Sequence, residues 1–189
     1  MQWLIGLEIF LLVKDPSRVF FTTDHPNGAP FTSYPELFRL LMDYEFRLQK
    51  IDSINKDSSD ISYLKDLKRT YSMYEIAIMT RASPAKILGL EDRGSLKEGC
   101  IADISIYNPK KTIDKMFREA SYVFKDGDEV VRNGKVLKHK KTTTQCIKTT
   151  YEKSILKEVD KWIKGYYSLD LEQFRVDQDF FKVDNFKNH

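Results

Sequence analysis

The stretch that indicates the fold class is Val19-Phe20-Phe21-Thr22-Thr23-Asp24-His25-Pro26-Asn27. Its first half is a short, continuous apolar run with β-branched residues, which is typical of a parallel strand buried on both faces. Its second half opens a loop that is dense in turn-forming residues. In parallel α/β barrels, the catalytic side chains follow the carboxyl ends of the strands, where the loops open on one face. We therefore predict an α/β fold in which this loop carries the chemistry.

Asp24 is the strongest candidate for a catalytic residue in this loop, with His25 and Asn27 beside it. A carboxylate at a metal centre can bind the ion and also accept a proton from metal-bound water. The alternative is that Asp24 caps the turn and that His25 is an ordinary, partly buried histidine, and the spacing alone favours this alternative. A zinc site needs three or four protein ligands. His139, in a basic loop, and His189, at the end of the chain, are not in settings that indicate a ligand.

Helices are predicted on both sides of the Asp24 loop. Apolar residues occur at helical spacing over Gln2 to Val13 and extend nearly all round it, so this helix needs cover on several sides. Asp15-Pro16 ends it. Pro35 to Met42 begins another helix. Residues 43–70 are charged, and Asn55 to Asp60 is the clearest linker signal in the chain.

A second group of helices is predicted after residue 70. From Ser72 a helical pattern runs to Thr80. Ser83-Pro84 then supplies an N-cap and a first-turn proline for a short helix, and Gly89 marks its end. Tyr151 to Tyr167 is an amphipathic helix. The last twenty residues are predicted to form an extended tail with spaced aromatic residues, namely Phe174, Phe180, Phe181 and Phe186.

Between these helices, the pattern from Gly94 onward predicts several short antiparallel strands. One strand covers Ile101 to Tyr107 and is closed by Asn108-Pro109. Two more flank Asp126-Gly127, and Asn133-Gly134 is a strong tight-turn signal.

Composition excludes some classes of function. The chain has 189 residues, 41% of them hydrophobic and 31% charged, which is ordinary for a globular protein. A net charge of +3 is too small for a nucleic-acid binder, and the basic run Lys138 to Lys141 is interpreted as a solvated loop.

Trp3 to Val13 carries Glu8, has no basic leader and is too short to span a bilayer, so no membrane partner is expected. Two cysteines, Cys100 and Cys146, suit a reducing cytoplasm without disulfides.

Three later segments resemble the amidohydrolase superfamily at the point where the barrel's last helix leads into a small β-sandwich. They are Ala82 to Leu90, Gly94 to Gly99 and Ala102 to Tyr107, and Val130 to Val136 resembles the strand-turn-strand that follows. Val19 to Tyr34, Arg69 to Arg81 and the aromatic tail are similar to the A-subunit of formylmethanofuran dehydrogenase. The resemblance covers nearly the whole chain.

The resemblance implies the last portion of a metal-dependent (β/α)8 barrel over residues 1–90, part of a β-sandwich over 91–150, and a C-terminal helix with tail over 151–189. It also implies a binuclear zinc centre that forms and cleaves an amide, joining formate to methanofuran. The formate would come from a partner subunit with a tungsten or molybdenum pterin. Asp24 matches the carboxylate that binds metal and acts as general base, and His25 and Asn27 match the adjoining substrate-positioning loop.

The expected departure from the family is large. The other metal ligands belong to earlier barrel strands, and a barrel needs roughly 250 residues. The partners expected are therefore a missing N-terminal amidohydrolase portion and the other subunits of the dehydrogenase. Three hypotheses follow: a subunit part that is inactive alone, a non-catalytic remnant that docks on a partner, or another amidohydrolase such as a dihydroorotase-like or urease-like enzyme. The Pro30-Phe31-Thr32 extension and the aromatic tail argue against the third.

Overall fold

A computed structural model describes residues 2–20, 22–140 and 151–174 of the chain. The chain divides into two compact units, Met1–Lys140 and Lys141–His189, and each is treated by itself. The expectations for Cys146, His189 and the aromatic residues Phe180, Phe181 and Phe186 lie outside the described residues.

The first unit contains seven α-helices and one antiparallel sheet within its described residues. The helices are α1 (Gln2–Leu12), α2 (Tyr34–Met42), α3 (Tyr44–Asp52), α4 (Lys56–Asp60), α5 (Met73–Ala77), α6 (Ser83–Ile87) and α7 (Ile113–Phe117). The strands are β1 (Ile104–Ile106), β2 (Tyr122–Lys125), β3 (Asp128–Arg132) and β4 (Lys135–Val136). Short 3-10 turns cover Pro16–Arg18, Phe31–Ser33 and Tyr63–Lys65, and a π-helix covers Ile78–Ala82.

The core lies among the helices. One face of α1 is buried, and it packs on apolar residues of α2, α3 and the segment that leads through α5 into the π-helix. The buried set is Leu4, Leu7, Leu11, Phe38, Leu40, Leu41, Ile51, Leu64, Tyr71, Ile76 and Met79. The predicted helices over Gln2 to Val13 and Pro35 to Met42 are confirmed as α1 and α2.

Arg47 on α3 shows why residues 43–70 are part of this core. The side chain is completely buried, and its guanidinium donates to the carbonyls of Leu40 at 2.8 Å, Leu67 at 2.7 Å and Arg69 at 2.9 Å. Burial lowers the pKa of Arg47 from its ordinary value. Asn55 to Asp60 was expected to be a linker, and this was wrong, because Lys56–Asp60 is helical and residues on both sides of it, Ile51 and Leu64, are fully buried.

The strand expected over Val19 to Thr23 is absent from the described residues of that segment. Val19, Phe20, Thr22 and Thr23 are not assigned to a strand, and Phe20 is 50% exposed. A strand requires a neighbour that completes its ladder of hydrogen bonds. The sheet of the first unit contains only β1 to β4 in its described residues and leaves this segment without such a neighbour.

The expected cap at Ser83 was also wrong. Ser83 has α-helical backbone angles and continues the run from α5 through the π-helix into α6 without a break. Pro84 is accommodated in the first turn of α6. The predicted end of that helix is confirmed, since Gly89 has a φ of 69° and the Leu90 N–H donates to the Ala85 carbonyl at 2.8 Å.

The antiparallel sheet agrees with the sequence pattern. Its order is β1-β2-β3-β4, and Ser105 lies opposite Val123 in the register. Both predicted turns have left-handed backbone at both central residues, with φ of 53° and 77° at Asp126-Gly127 and 49° and 71° at Asn133-Gly134. Turns of this kind match the twist of paired strands.

Helix α7 was not predicted, although its sequence carries a signal. Thr112 precedes Ile113, Met116 and Phe117, which have the spacing of a helical face. The helix connects β1 to β2 and packs on α2, where Asp114 accepts from Arg39 at 3.0 Å.

The described part of the second unit is dominated by α8 (Ile155–Tyr166), which confirms the helix expected over Tyr151 to Tyr167. Trp162 packs against Tyr166 and Tyr167, with ring centroids 5.4 Å and 5.7 Å apart. A 3-10 turn follows at Leu171–Phe174. None of the helices in the described part of the chain has the length and apolar character that a membrane span requires.

Candidate active-site loop

The Asp24 loop is closed by backbone hydrogen bonds. The Gly28 N–H donates to the Asp24 carbonyl at 2.9 Å, and the Ala29 N–H donates to the Thr23 carbonyl at 2.8 Å. Asp24 has a φ of 50°, in the left-handed region that Asp and Asn tolerate better than most residues. The peptide bond between His25 and Pro26 is cis. The chain therefore turns sharply at Asp24 instead of passing gradually into the next helix.

Gly28 is required by the closeness of this turn. A Cβ atom at Gly28 would lie 2.6 Å from the Thr23 carbonyl oxygen, which is closer than a real Cβ approaches backbone oxygen. The sequence signal at this position is only the Asn27-Gly28 pair, which indicates a generic turn.

Thr23 anchors the base of the loop. It is 5% exposed, and its backbone N–H lies 3.4 Å from the hydroxyl oxygen of Tyr34 at the start of α2. Its own hydroxyl is buried and has no hydrogen-bond partner in the described part of the chain. Sequence reasoning did not single out Thr23, because an inward-facing threonine at the end of an apolar run is indistinguishable from an ordinary strand residue.

The three predicted site residues all lie on the surface of this loop. Asp24, His25 and Asn27 are exposed, and no residue in the described ranges donates a hydrogen bond to the Asp24 carboxylate. The His25 ring stacks on Phe31, with centroids 4.3 Å apart and planes at 23°. The alternative in which Asp24 caps the turn through its side chain is not observed, because the turn is closed through the backbone carbonyl of Asp24.

The loop can supply one ligand, the Asp24 carboxylate, to a metal centre. A carboxylate oxygen is a suitable zinc ligand, but a site requires three or four. Within the described residues, no group of three or more His, Cys, Asp or Glu side chains is placed to hold an ion. The described residues thus provide one outward-facing oxygen ligand and do not by themselves complete a site.

The sequence of the first unit matches a known family. The model of the amidohydrolase family matches residues 3–137, and the chain belongs to that family.

Similar proteins identify the branch of the family. The chain is 40% identical over 176 residues to the A-subunit of the formyltransferase/hydrolase complex Fhc of Methylorubrum extorquens, covering 93% of this chain and 32% of that protein. It is 39% identical over 191 residues to protein FwdA of Methanocaldococcus jannaschii, covering 95% of this chain and 34% of that protein. The resemblance stated from the sequence is confirmed.

A solved structure extends the match to three dimensions. The crystal structure of the formyltransferase/hydrolase complex FhcABCD from Methylorubrum extorquens, in complex with methylofuran, matches all of this chain with a TM-score of 0.81 and 37% identity. The match covers 35% of that chain. The present chain therefore spans about a third of the length of the relatives that it matches.

Proposed function

We propose that this chain is the C-terminal part of an amidohydrolase subunit that forms and cleaves an N-formyl amide, in the manner of the amidohydrolase-like subunit of formylmethanofuran dehydrogenase. The observation that carries the proposal is the Asp24 loop, which presents a carboxylate without a partner in the described residues directly after an apolar run of sequence. The identity to the A-subunit of Fhc over 93% of the chain supports it.

In this proposal, residues 1–90 form the end of a (β/α)8 barrel, residues 91–150 part of a β-sandwich, and residues 151–189 a C-terminal helix and tail. The segment from Val19 to Thr23 becomes the last barrel strand when neighbouring strands complete its hydrogen bonds. Val19 supports this, because its own backbone is extended, with a φ of −130° and a ψ of 141°.

Asp24 would contribute one carboxylate ligand and a proton-accepting oxygen. A binuclear zinc centre, when bound, supplies a water of lowered pKa and polarises the formyl carbonyl. The Asp24 carboxylate accepts the proton of the attacking group and returns it to the amine that leaves. In the direction of synthesis, the same carboxylate removes a proton from the amine that attacks the formate carbon and returns it to the formate oxygen that leaves as water. The remaining metal ligands, and the tungsten or molybdenum pterin that makes formate, come from outside this chain.

His25 and Asn27 would position the substrate beside Asp24. The stacking of His25 on Phe31 fixes the imidazole ring next to the loop, and Asn27 offers an amide that can both donate and accept. Both side chains are exposed, as contact with a substrate requires.

A second candidate function is a non-catalytic remnant that docks on a partner. It is favoured by one observation, namely that the apolar residues Ile5, Ile9 and Leu12 of α1 are more than half exposed. The two candidates differ in what happens when the remainder of the subunit is supplied.

The test is reconstitution with the remaining two thirds of the matching subunit of a relative. The two parts are produced together and separately, and zinc content and hydrolysis of an N-formyl amide are measured for each. We expect bound zinc and hydrolysis only for the two parts together, and no stoichiometric zinc in the chain alone. A reconstituted subunit that binds zinc but does not hydrolyse the amide would support the remnant. Two tightly bound metal ions in the chain alone would contradict both candidates.

A further inference from the structure

A groove of about 830 Å³ lies beside the Asp24 loop in the first unit. It is formed by the start of α2, the π-helix and the segments on either side of α7, and its principal lining residues are Phe31, Tyr34, Arg81, Tyr107, Phe117 and Arg118. Phe31 is also the residue on which His25 stacks. The groove is thus adjacent to the candidate active-site loop, and two arginines, Arg81 and Arg118, line it.

A continuous series of aromatic rings forms one wall of the groove. The ring centroids of Phe31 and Tyr34 are 6.3 Å apart, and those of Tyr34 and Phe38 are 6.0 Å apart. Phe117 makes edge contacts with Phe38 at 4.7 Å and with Tyr107 at 5.1 Å. Phe31 is 63% exposed. Such a wall offers flat apolar surface on which a planar ring can stack.

The π-helix contributes two adjacent polar residues to the lining of the groove. Thr80 and Arg81 both line the groove, although neighbouring residues of a regular α-helix point in directions about 100° apart. The Thr80 hydroxyl donates to the Ile76 carbonyl at 2.7 Å, and one Arg81 nitrogen donates to the Thr80 carbonyl at 2.9 Å. π-helical turns occur frequently at functional sites because they alter where side chains point.

The two arginines of the groove differ from the other described arginines. Arg18, Arg39, Arg69, Arg93 and Arg132 each form an ion pair with a carboxylate. Arg47 donates to three carbonyls. Arg81 and Arg118 form no ion pair within the described ranges, and no acidic residue lines the groove. The groove is therefore positively charged and aromatic at the same time.

We propose that this groove binds a planar ring that carries an anionic group, with the ring on the Phe31–Tyr34 wall and the anion between Arg81 and Arg118. Resting on the proposed function, this ligand is the part of the substrate remote from the formyl amide. Binding energy from such a remote part is available to position the reacting end against Asp24.

The test uses the full chain and the probe 2-naphthoate, with neutral 2-naphthamide as its isostere. Binding is measured by titration calorimetry for the unaltered chain and for Arg81→Gln and Arg118→Gln. We expect 2-naphthoate to bind about tenfold more tightly than 2-naphthamide, and each substitution to weaken 2-naphthoate about fivefold, because a hydrogen bond to a charged group is lost. Each substitution should leave 2-naphthamide binding unchanged.

The matched control is Arg18→Gln, which removes an exposed arginine that is paired with Asp15 and does not line the groove. It should leave the affinity for both probes unchanged. Equal affinity for the acid and the amide, or equal weakening by all three substitutions, would overturn the proposal. Asp24→Asn should leave 2-naphthoate binding unchanged, so the groove is tested separately from the chemistry.

A second measurement excludes a protein segment as the occupant. Phenylglyoxal modifies accessible arginines, and mass spectrometry reports the modification of Arg81 and Arg118. We expect 2-naphthoate to protect both residues in the chain and in the reconstituted subunit. Protection in the reconstituted subunit without any probe would mean that protein covers the groove, and the proposal would fail. An inactive reconstituted subunit with normal 2-naphthoate binding would instead count against the proposed function alone.

Discussion

Asp24 and Asp126 adopt nearly the same left-handed backbone conformation, with φ of 50° and 53°, in two different environments. Asp126 lies in the tight turn between β2 and β3, where its carboxylate pairs with Lys140 at 3.1 Å and its N–H donates to Asp103 at 2.8 Å. Asp24 follows an apolar run whose described residues have no neighbouring strand, and its carboxylate has no described donor.

The difference separates a structural aspartate from a candidate catalytic one. The Asp126 turn is satisfied within this chain, because the strands on both sides of it pair with each other. The Asp24 loop is equally well closed in its backbone, yet its carboxylate and the segment before it lack partners within the described residues. A well-closed loop that presents an exposed carboxylate without a protein donor suits a ligand that is supplied to a larger metal site.

The largest expected effect contrasts these two residues directly. Asp24→Asn in the reconstituted subunit should lower the rate of N-formyl amide hydrolysis by about a thousandfold, because the general base is lost. Asparagine tolerates the left-handed conformation, so the loop is retained. Asp126→Asn makes the same chemical change at a matched backbone geometry, and the hydrolysis rate should stay within about twofold since an exposed ion pair contributes little.

Circular dichroism and zinc analysis accompany both rate measurements. Comparable losses in the two variants would mean that the Asp24 loop has no special role. Loss of zinc together with activity in Asp24→Asn would assign the residue chiefly to metal binding, and retained zinc would assign it chiefly to proton transfer.

The second prediction concerns exposed apolar side chains on α1 and in the segment before Asp24. Ile5, Ile9 and Leu12 of α1 are 52%, 53% and 61% exposed, and Phe20 is 50% exposed. Exposed apolar surface of this kind favours association. We expect the isolated chain to be a dimer or larger by light scattering, and the double substitution Ile5→Lys and Ile9→Lys to shift it toward the monomer.

Ile61→Lys is the matched control for this prediction, because Ile61 is 64% exposed and lies outside α1. It should leave the oligomeric state unchanged. A stable, monodisperse monomer of the unaltered chain would contradict the prediction. Addition of the remaining part of the subunit should replace self-association in the unaltered chain, and the monomeric double variant should not form a stable complex with that part.

The sequence predicts the regions that satisfy their own hydrogen bonds better than those that need a partner. The turns at Asp126-Gly127 and Asn133-Gly134 were predicted because dipeptides with glycine have specific local preferences. The strand over Val19 to Thr23 was expected from its apolar run, but a strand also depends on a neighbour, which sequence periodicity does not show. The burial of Arg47 is likewise not visible in the sequence. A charged residue is expected on the surface until its three carbonyl acceptors are known.

The residues of the candidate site were predicted from the sequence and stay a prediction, whereas the construction of the loop is seen only in the structure. Asp24, His25 and Asn27 were identified from their place after an apolar run, and they do lie together on one loop. The role of Thr23 follows from its exposure of only 5%. The role of Gly28 follows from the 2.6 Å that would separate an added Cβ from the Thr23 carbonyl oxygen. Both are properties of packing, which the sequence does not show. The groove at Arg81 and Arg118 joins residues far apart in sequence, so no local motif indicates it.

The smallest expected effect lies in the hairpin that contains Asp126. The carboxylate of Asp128 accepts from Lys140 at 2.7 Å and from Lys138 at 3.0 Å, and these contacts hold the pKa of Asp128 below its ordinary value. Because the pKa is lower in the folded state, the contribution of Asp128 to stability is present above its unfolded pKa. It is lost as the pH falls through the folded pKa.

Lys140→Met should therefore raise the pKa of Asp128 toward its ordinary value, as measured by carboxyl ¹³C NMR titration. Lys164→Met is the control, because Lys164 pairs with Asp160 on α8 in the second unit. An unchanged Asp128 titration in Lys140→Met would show that the Lys140 contact does not form in solution. The turn at Asp126 would then be held by backbone hydrogen bonds alone, as the Asp24 loop is. The two aspartates would differ only in whether the segments beside them pair with a neighbouring strand.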